Sequence, residues 1–233
     1  MTKAIFFDWY NTLARYKPSN EELQLAACQA FGLSLEPKVI WRAIPSADQY
    51  FYEENTRSPV EKRSPTEKTE IYRRYEEMML EAAGVKVAKE LALGILMKVR
   101  ELAKGAAFVL FDDTLPTLKL LKNKRLTLGM ISNLPEDKLP ICEELGLTSY
   151  LDFIITPREA GADKPDPSIF LAALNRAGVK ASESIHVGDQ YYFDIVGARN
   201  AGIKALFLDR YDLFPEIKDC PRITELNQIV NYL

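Results

Sequence analysis

The residues whose types and spacing could do chemistry are Asp8, Ser132, Asn133, Lys164, Asp189 and Asp194. Each follows a short apolar run. Asp8 closes the run in "AIFFDWYNTL" (4–13), with Tyr10 two residues on. Ser132 and Asn133 end "LTLGMIS" and its successor, and Lys164 lies in "GADKPDP" after "FIIT". Asp189 follows "SIHV" in "VGDQYYFD", and Asp194 stands five residues later. One such Asp is often just a helix cap, and one lysine beside prolines is often a solvated loop residue. The set carries more meaning than its members. Three carboxylates and a lysine brought to one edge repel or pair strongly, unless a cation or an anionic substrate organises them. Asp8 is then a candidate nucleophile.

The elements that must position these residues alternate. Residues 4–8, 126–132, 153–156, 184–187 and 204–208 read as buried strands, and helices fit at 113–122, 137–145, 167–177 and 192–201. The alternation implies an α/β fold, a Rossmann-like, doubly wound parallel sheet with helices on both faces. Ligands of such sheets bind beyond the C-terminal strand ends, where the chemical residues gather. From about 15 to 104 the pattern is helical throughout. Ser19 and Glu22 form a capping-box pattern, Leu23, Ala26, Ala27 and Ala30 share a helical face, and Gly32 can end that helix. Residues 37–54 are helix-like, but Pro45 should kink or split them, with Ser46 capping the second piece. Residues 57–66 read as a loop, Ile71, Tyr75, Met78 and Ala82 mark a third helix, and a fourth runs from Lys86 to Lys104. The expected division is a core of 1–14 and 105–233 with an α-helical cap, 15–104, inserted after the first strand.

Bulk properties narrow the function. A chain of 233 residues with net charge −3 and dispersed Lys and Arg carries no electrostatic footprint for nucleic acid or an anionic membrane surface. Cys28, Cys142 and Cys220 fit neither a disulfide framework nor a zinc site, which points to a reducing compartment. No apolar stretch is long enough for a membrane span and no signal peptide is evident, so a cytoplasmic location is expected.

In order and separation, "FFDWYNTL", "ISN", "GADKPDPSIF" and "VGDQYYFDIVGARNAG" resemble the haloacid dehalogenase (HAD) superfamily of hydrolases with an α-helical cap. The resemblance covers nearly the whole length and is weakest in the cap. It implies that Asp8 is a nucleophile forming a covalent aspartyl intermediate, which water later hydrolyses. It implies that Ser132 hydrogen-bonds the transferring group and that Lys164 neutralises the nucleophile and the developing charge. Thr12 keeps the family's hydroxyl, and Asn133 contacts the transferring group or the cap-side substrate. Asn11 stands where the family often has Gly, and suits a left-handed backbone. Asp189 and Asp194 match the phosphatase form of the last motif, which implies Mg²⁺ held directly by Asp8, the Tyr10 carbonyl and Asp189, and by Asp194 directly or through water. The implied partner is a small-molecule substrate, with the protein a monomer or homodimer.

Tyr10 departs from that pattern. Family phosphatases carry an acid there, and losing a general acid costs ~10²- to 10⁴-fold in rate. A phenol, ordinarily titrating near ~10, replaces it poorly as a base near neutral pH. Family dehalogenases tolerate Tyr at this place, and Arg42 in "WR" resembles their carboxylate-binding cap arginine, although a surface helix residue fits it as well. Against that, dehalogenases carry Ser and Asn where this chain has Gly188 and Asp189, and they need no metal. The expectation is therefore Mg²⁺-dependent hydrolysis of a small phosphorylated molecule. The alternatives are a metal-independent 2-haloacid dehalogenase and a non-catalytic member that binds a phospho-ligand. His186, the lone histidine, lies within a predicted strand and reads as structural.

Overall fold

Strands apolar at successive positions need two buried faces, and the chain supplies them. The computed structural model describes residues 1–134, 137 and 139–233. The strands in chain order are β1 (Ala4–Phe7), β2 (Ala14–Lys17), β3 (Ala107–Leu110), β4 (Thr127–Ile131), β5 (Phe153–Ile155), β6 (Ser184–Gly188), β7 (Lys204–Leu208) and β8 (Arg222–Ile223). The helices are α1 (Asn20–Ala30), α2 (Pro37–Arg57), α3 (Pro65–Ala82), α4 (Lys89–Ala103), α5 (Thr114–Asn123), α6 (Pro140–Glu144), α7 (Pro157–Ala160), α8 (Pro167–Ala177) and α9 (Gly197–Asn200). The chain divides into two compact units, residues 1–15 with 108–233, and residues 16–107.

In the first unit, six strands form a parallel sheet in the order β5-β4-β1-β6-β7-β8. Side chains alternate across it. Ile5, Phe7, Leu128, Met130, Ile185, Val187, Leu206 and Leu208 enter one core cluster. Ala4, Phe6, Ile131, Ala205 and Phe207 enter the other, with Ile169, Phe170 and Ala173 of α8. From β1 the chain order runs one way through β4 and β5 and the other way through β6, β7 and β8. That reversal is the switch point where sheets of this kind open a crevice. Helix α8 matches its sequence expectation, because Asp166 caps the Ser168 N–H, Pro167 opens the first turn and Gly178 ends it at φ 64°.

In the second unit, α1 to α4 bury Ala27, Cys28, Ile40, Ala43, Ala47, Met79, Leu80 and Ile95 against one another. The Ser19–Glu22 capping box opens α1, and Gly32 follows it at φ 78°. Several expectations need correction. Pro45 does not split α2, which runs unbroken from Pro37 to Arg57, so Ser46 is no cap. Pro45 is exposed, so water can satisfy the carbonyl that its missing N–H leaves free. The loop at 57–66 contains a 3₁₀ turn, Val60–Lys62. The fourth helix begins at Lys89 rather than Lys86. Residues 15–104 are not wholly helical, because β2 pairs with β3 in a two-stranded ribbon. In the first unit, the helix expected at 137–145 is Pro140–Glu144, with residue 138 outside the described residues. The stretch 192–201 opens as a π-helix, Tyr191–Val196, before α9. Among the described residues, no helix is long and apolar enough to cross a membrane.

Candidate active site

Asp8 follows β1 directly. Its N–H extends the ladder to the Val187 carbonyl at 2.9 Å, and the residue is 8% exposed. The next side chain, Trp9, is buried against Phe108 with ring centroids 5.3 Å apart. The chain then reverses. Asn11 takes φ 59° and donates to the Ala14 carbonyl at 2.7 Å, the left-handed conformation its type favours. Thr12 is fully buried and its hydroxyl lies 3.4 Å from Asp189 Oδ1. Tyr10 sets its ring edge-on to Phe108 at 6.4 Å.

Arg210 clamps this turn from the loop after β7. It donates to the Thr12 carbonyl at 2.7 Å, binds both oxygens of Asp113 at 3.0 Å, and stacks 3.9 Å over Phe111. The sequence reading missed Arg210, because nothing local in "LDRYDLF" links it to the first turn.

Lys164 is held by its backbone. Asn133 accepts from the Lys164 N–H at 2.7 Å and donates to its carbonyl at 3.1 Å, so both ends of this amide serve the lysine loop. The Lys164 ammonium, 3% exposed, donates to Asp8 Oδ1 at 2.5 Å and to Asp194 Oδ1 at 2.6 Å. Ser132 is buried, and its Oγ accepts from the Leu134 N–H at 3.1 Å.

Asp194 stands on the π-helix and is fully buried. π-Helical turns concentrate at functional sites. Its Oδ2 accepts from the Gln190 N–H at 3.1 Å, and its Oδ1 also faces His186 Nε2 at 3.0 Å. Gly188 makes room for it, since a Cβ there would stand 2.1 Å from Asp194 Cγ. Oxygens of Asp8, Asp189 and Asp194 lie within 4.8 Å of one another.

Three carboxyls face one ammonium, and their ionisation reflects that. Burial pushes the Asp8 carboxyl up, with Asp194 adding to it and Lys164 opposing. Burial, then Asp8 and Asp194, push Asp189 well above the usual carboxylate range. Burial works against ionisation of Asp194 too, yet Lys164 and His186 outweigh it and hold that carboxyl below its usual range. Burial disfavours the charged Lys164, but Asp194 and Asp8 overcome it and raise the ammonium above the ordinary lysine value. The donors are all hard oxygens, as a small divalent cation requires, and the two reluctant carboxyls are groups that such a cation would ionise. Arg42 lies on α2 in the other unit, where it is exposed.

Comparison with known proteins gives a consistent setting. A family model described as haloacid dehalogenase-like hydrolase matches residues 2–202. A Danio rerio protein named haloacid dehalogenase-like hydrolase domain-containing protein 3 is 40% identical over 102 residues, 44% of this chain and 42% of its own. The chain thus spans under half the length of that relative. A ribulose-1,5-bisphosphate 5-phosphatase of Halopiger xanaduensis is 29% identical over 221 residues, 90% of this chain and 85% of its own. Among solved structures, a 2-haloacid dehalogenase from Pseudomonas syringae pv. Tomato DC3000 is similar with a TM-score of 0.55 at 30% identity, covering 99% of this chain and 97% of that one.

Proposed function

Because the chain belongs to the haloacid dehalogenase-like hydrolase family, we propose that it acts as a phosphatase, hydrolysing a small phosphorylated molecule through Asp8 with Mg²⁺ as cofactor. The observation that carries this reading is the trio Asp8, Asp189 and Asp194, their oxygens within 4.8 Å and Lys164 against two of them. The Halopiger xanaduensis relative, named a phosphatase, supports it. The Asp8 carboxylate attacks phosphorus, the bond to the leaving oxygen breaks, and water then hydrolyses the aspartyl-phosphate. The Lys164 ammonium offsets charge on Asp8 and on the transferring group. The Ser132 hydroxyl, accepting from Leu134, keeps its own proton to donate to a phosphate oxygen. Asn133 acts through the Lys164 backbone, and Thr12 through Asp189. Asp8, the Tyr10 carbonyl and Asp189 would hold the cation directly, and Asp194 would hold it directly or through water. When bound, the cation offsets repulsion between Asp8 and an anionic substrate. The unit 16–107 is the cap, with Arg42 as a candidate substrate contact, and the setting is cytoplasmic.

Tyr10 and the likeness to a 2-haloacid dehalogenase carry a second reading, metal-free dehalogenation with Asp8 attacking carbon. Gly188 weighs against it. A serine there would meet Asp194, whose Cγ lies 2.1 Å from the Cβ position. The deciding experiment is phosphate release from an activated aryl phosphate, with Mg²⁺ and with chelator, using Asp8→Asn as control. The activated leaving group needs little general acid, so Tyr10 does not mask the chemistry. Release that requires both Mg²⁺ and Asp8 is the expected result. Halide release from 2-haloacids that survives chelator would establish the second reading. Neither activity, with Mg²⁺ and phosphate still bound, would make this a non-catalytic member.

A further inference from the structure

His186 is the one histidine of the chain, and β6 carries it on the face opposite Ile185 and Val187. It is fully buried, with its ring edge-on to Phe170 at 5.1 Å. Its Nε2 lies 3.0 Å from Asp194 Oδ1, and its Nδ1 has no hydrogen-bond partner among the described residues. A carboxylate oxygen can only accept, so Nε2 carries the proton and donates. The other tautomer would set two lone pairs against each other and leave a buried N–H unpaired, which costs more.

Asp194 Oδ1 thus receives two donors, Lys164 Nζ at 2.6 Å and His186 Nε2 at 3.0 Å, while Oδ2 receives the Gln190 N–H at 3.1 Å. Three donors from three segments leave the carboxylate one orientation. They also divide its charge. Without His186, Lys164 would be the sole side-chain partner of Asp194 among the described residues, and would be drawn toward it and away from Asp8.

We propose that His186 is a positioning residue, which locks Asp194 from inside the core and so keeps the Lys164 ammonium available to Asp8 and to the anion that Asp8 attacks. The contact chain His186–Asp194–Lys164–Asp8 ties the packed sheet face to the nucleophile. The geometric part stands alone, and the kinetic part rests on the phosphatase reading.

The test has two arms. In untagged protein labelled with ¹⁵N-histidine, the single imidazole gives one set of ring nitrogens. The expected spectrum shows a proton on Nε2, and a ring protonated at Nδ1 alone would overturn the proposal. In the second arm, His186→Leu and His186→Gln are assayed with an activated aryl phosphate and Mg²⁺, well below their melting temperatures. Groups that orient a metal-ligating carboxylate typically matter by about 10- to 100-fold, so kcat of His186→Leu should fall by that factor with KM within about twofold. His186→Gln should recover most of the loss, because its amide N–H can reach the place of Nε2. Wild-type kcat in His186→Leu, or equal loss in both folded variants, would overturn the proposal. If the wild type releases no phosphate at all, the phosphatase reading has failed instead. Calorimetric Mg²⁺ binding, weakened by Leu and restored by Gln, then decides together with the tautomer. If no Mg²⁺ binds either, the tautomer decides alone.

Discussion

Glu76 is a charge that α3 can hardly accommodate. It is 2% exposed, and it accepts a hydrogen bond from the side-chain amide of Gln24 on α1. Burial pushes its carboxyl from the ordinary glutamate value of 4.5 to about 7, with Gln24 only partly offsetting. A raised carboxyl stabilises the fold while it is protonated, so its contribution is full below pH 4.5 and is lost as pH rises through about 7. At 1.36 kcal/mol per unit, the gap of roughly two and a half units is worth about 3 kcal/mol. With so little exposure, solvent screening removes little of that. Glu76→Gln removes the ionisation and leaves an oxygen for Gln24 to donate to. Its stability should match the wild type at pH 4.5 and exceed it by about 3 kcal/mol at pH 8. Urea unfolding followed by Trp41 fluorescence in a Trp9→Phe background reads the helical unit, because Trp41 lies on α2 and Trp9 in the other unit. Parallel stability curves for the Glu76→Gln variant and its parent between pH 5 and 8 would refute the reasoning.

Gly188→Ala should lower both activity and stability, because the new Cβ would stand 2.1 Å from Asp194 Cγ. Overpacking of this kind costs about 1–3 kcal/mol, readable as a lower Tm, and kcat should fall beyond what unfolding explains. Tyr10→Asp should raise hydrolysis of unactivated alkyl phosphates by ~10²- to 10⁴-fold, since it supplies a general acid, and an unchanged rate in the folded variant would refute that role. Asp189→Asn should abolish the response of aryl phosphatase activity to Mg²⁺ titration. Arg210→Ala should cost about 2–4 kcal/mol, because it leaves the half-buried Asp113 and the Thr12 carbonyl short of a donor, and chemical denaturation reads it.

Local pattern carried the sheet. β7 at Lys204–Leu208 and α8 at Pro167–Ala177 were legible because burial on both faces, an Asp-Pro start and a Gly stop are written in adjacent residues. The gathering of Asp8, Lys164, Asp189 and Asp194 was legible too, since parallel strands bring their C-terminal ends to one edge. The β2–β3 ribbon was not. "ARYK" is half-polar and "AFVL" is short, and each depends on a partner about ninety positions away. The π-helix escaped because "YYFDIV" has ordinary helical composition. Asn133 and Arg210 act on distant backbone carbonyls, which no periodicity records. The placement of His186 within a strand was legible, but its contact with Asp194 was not.

The ribbon has an evolutionary consequence. β2 and β3 hold the two ends of the helical unit side by side, about 4.8 Å apart at sheet spacing. For the sheet unit, the long helical excursion is then equivalent to a tight turn, and the chain entropy of closing so large a loop is met by the ribbon's own pairing. Such a junction accepts exchange. A different helical bundle spliced between Lys17 and Ala107 asks nothing new of β1 and β6, which Asp8 and Asp189 directly follow. On the phosphatase reading proposed above, substrate choice can change by cassette replacement while Asp8, Asp189 and Asp194 keep their places.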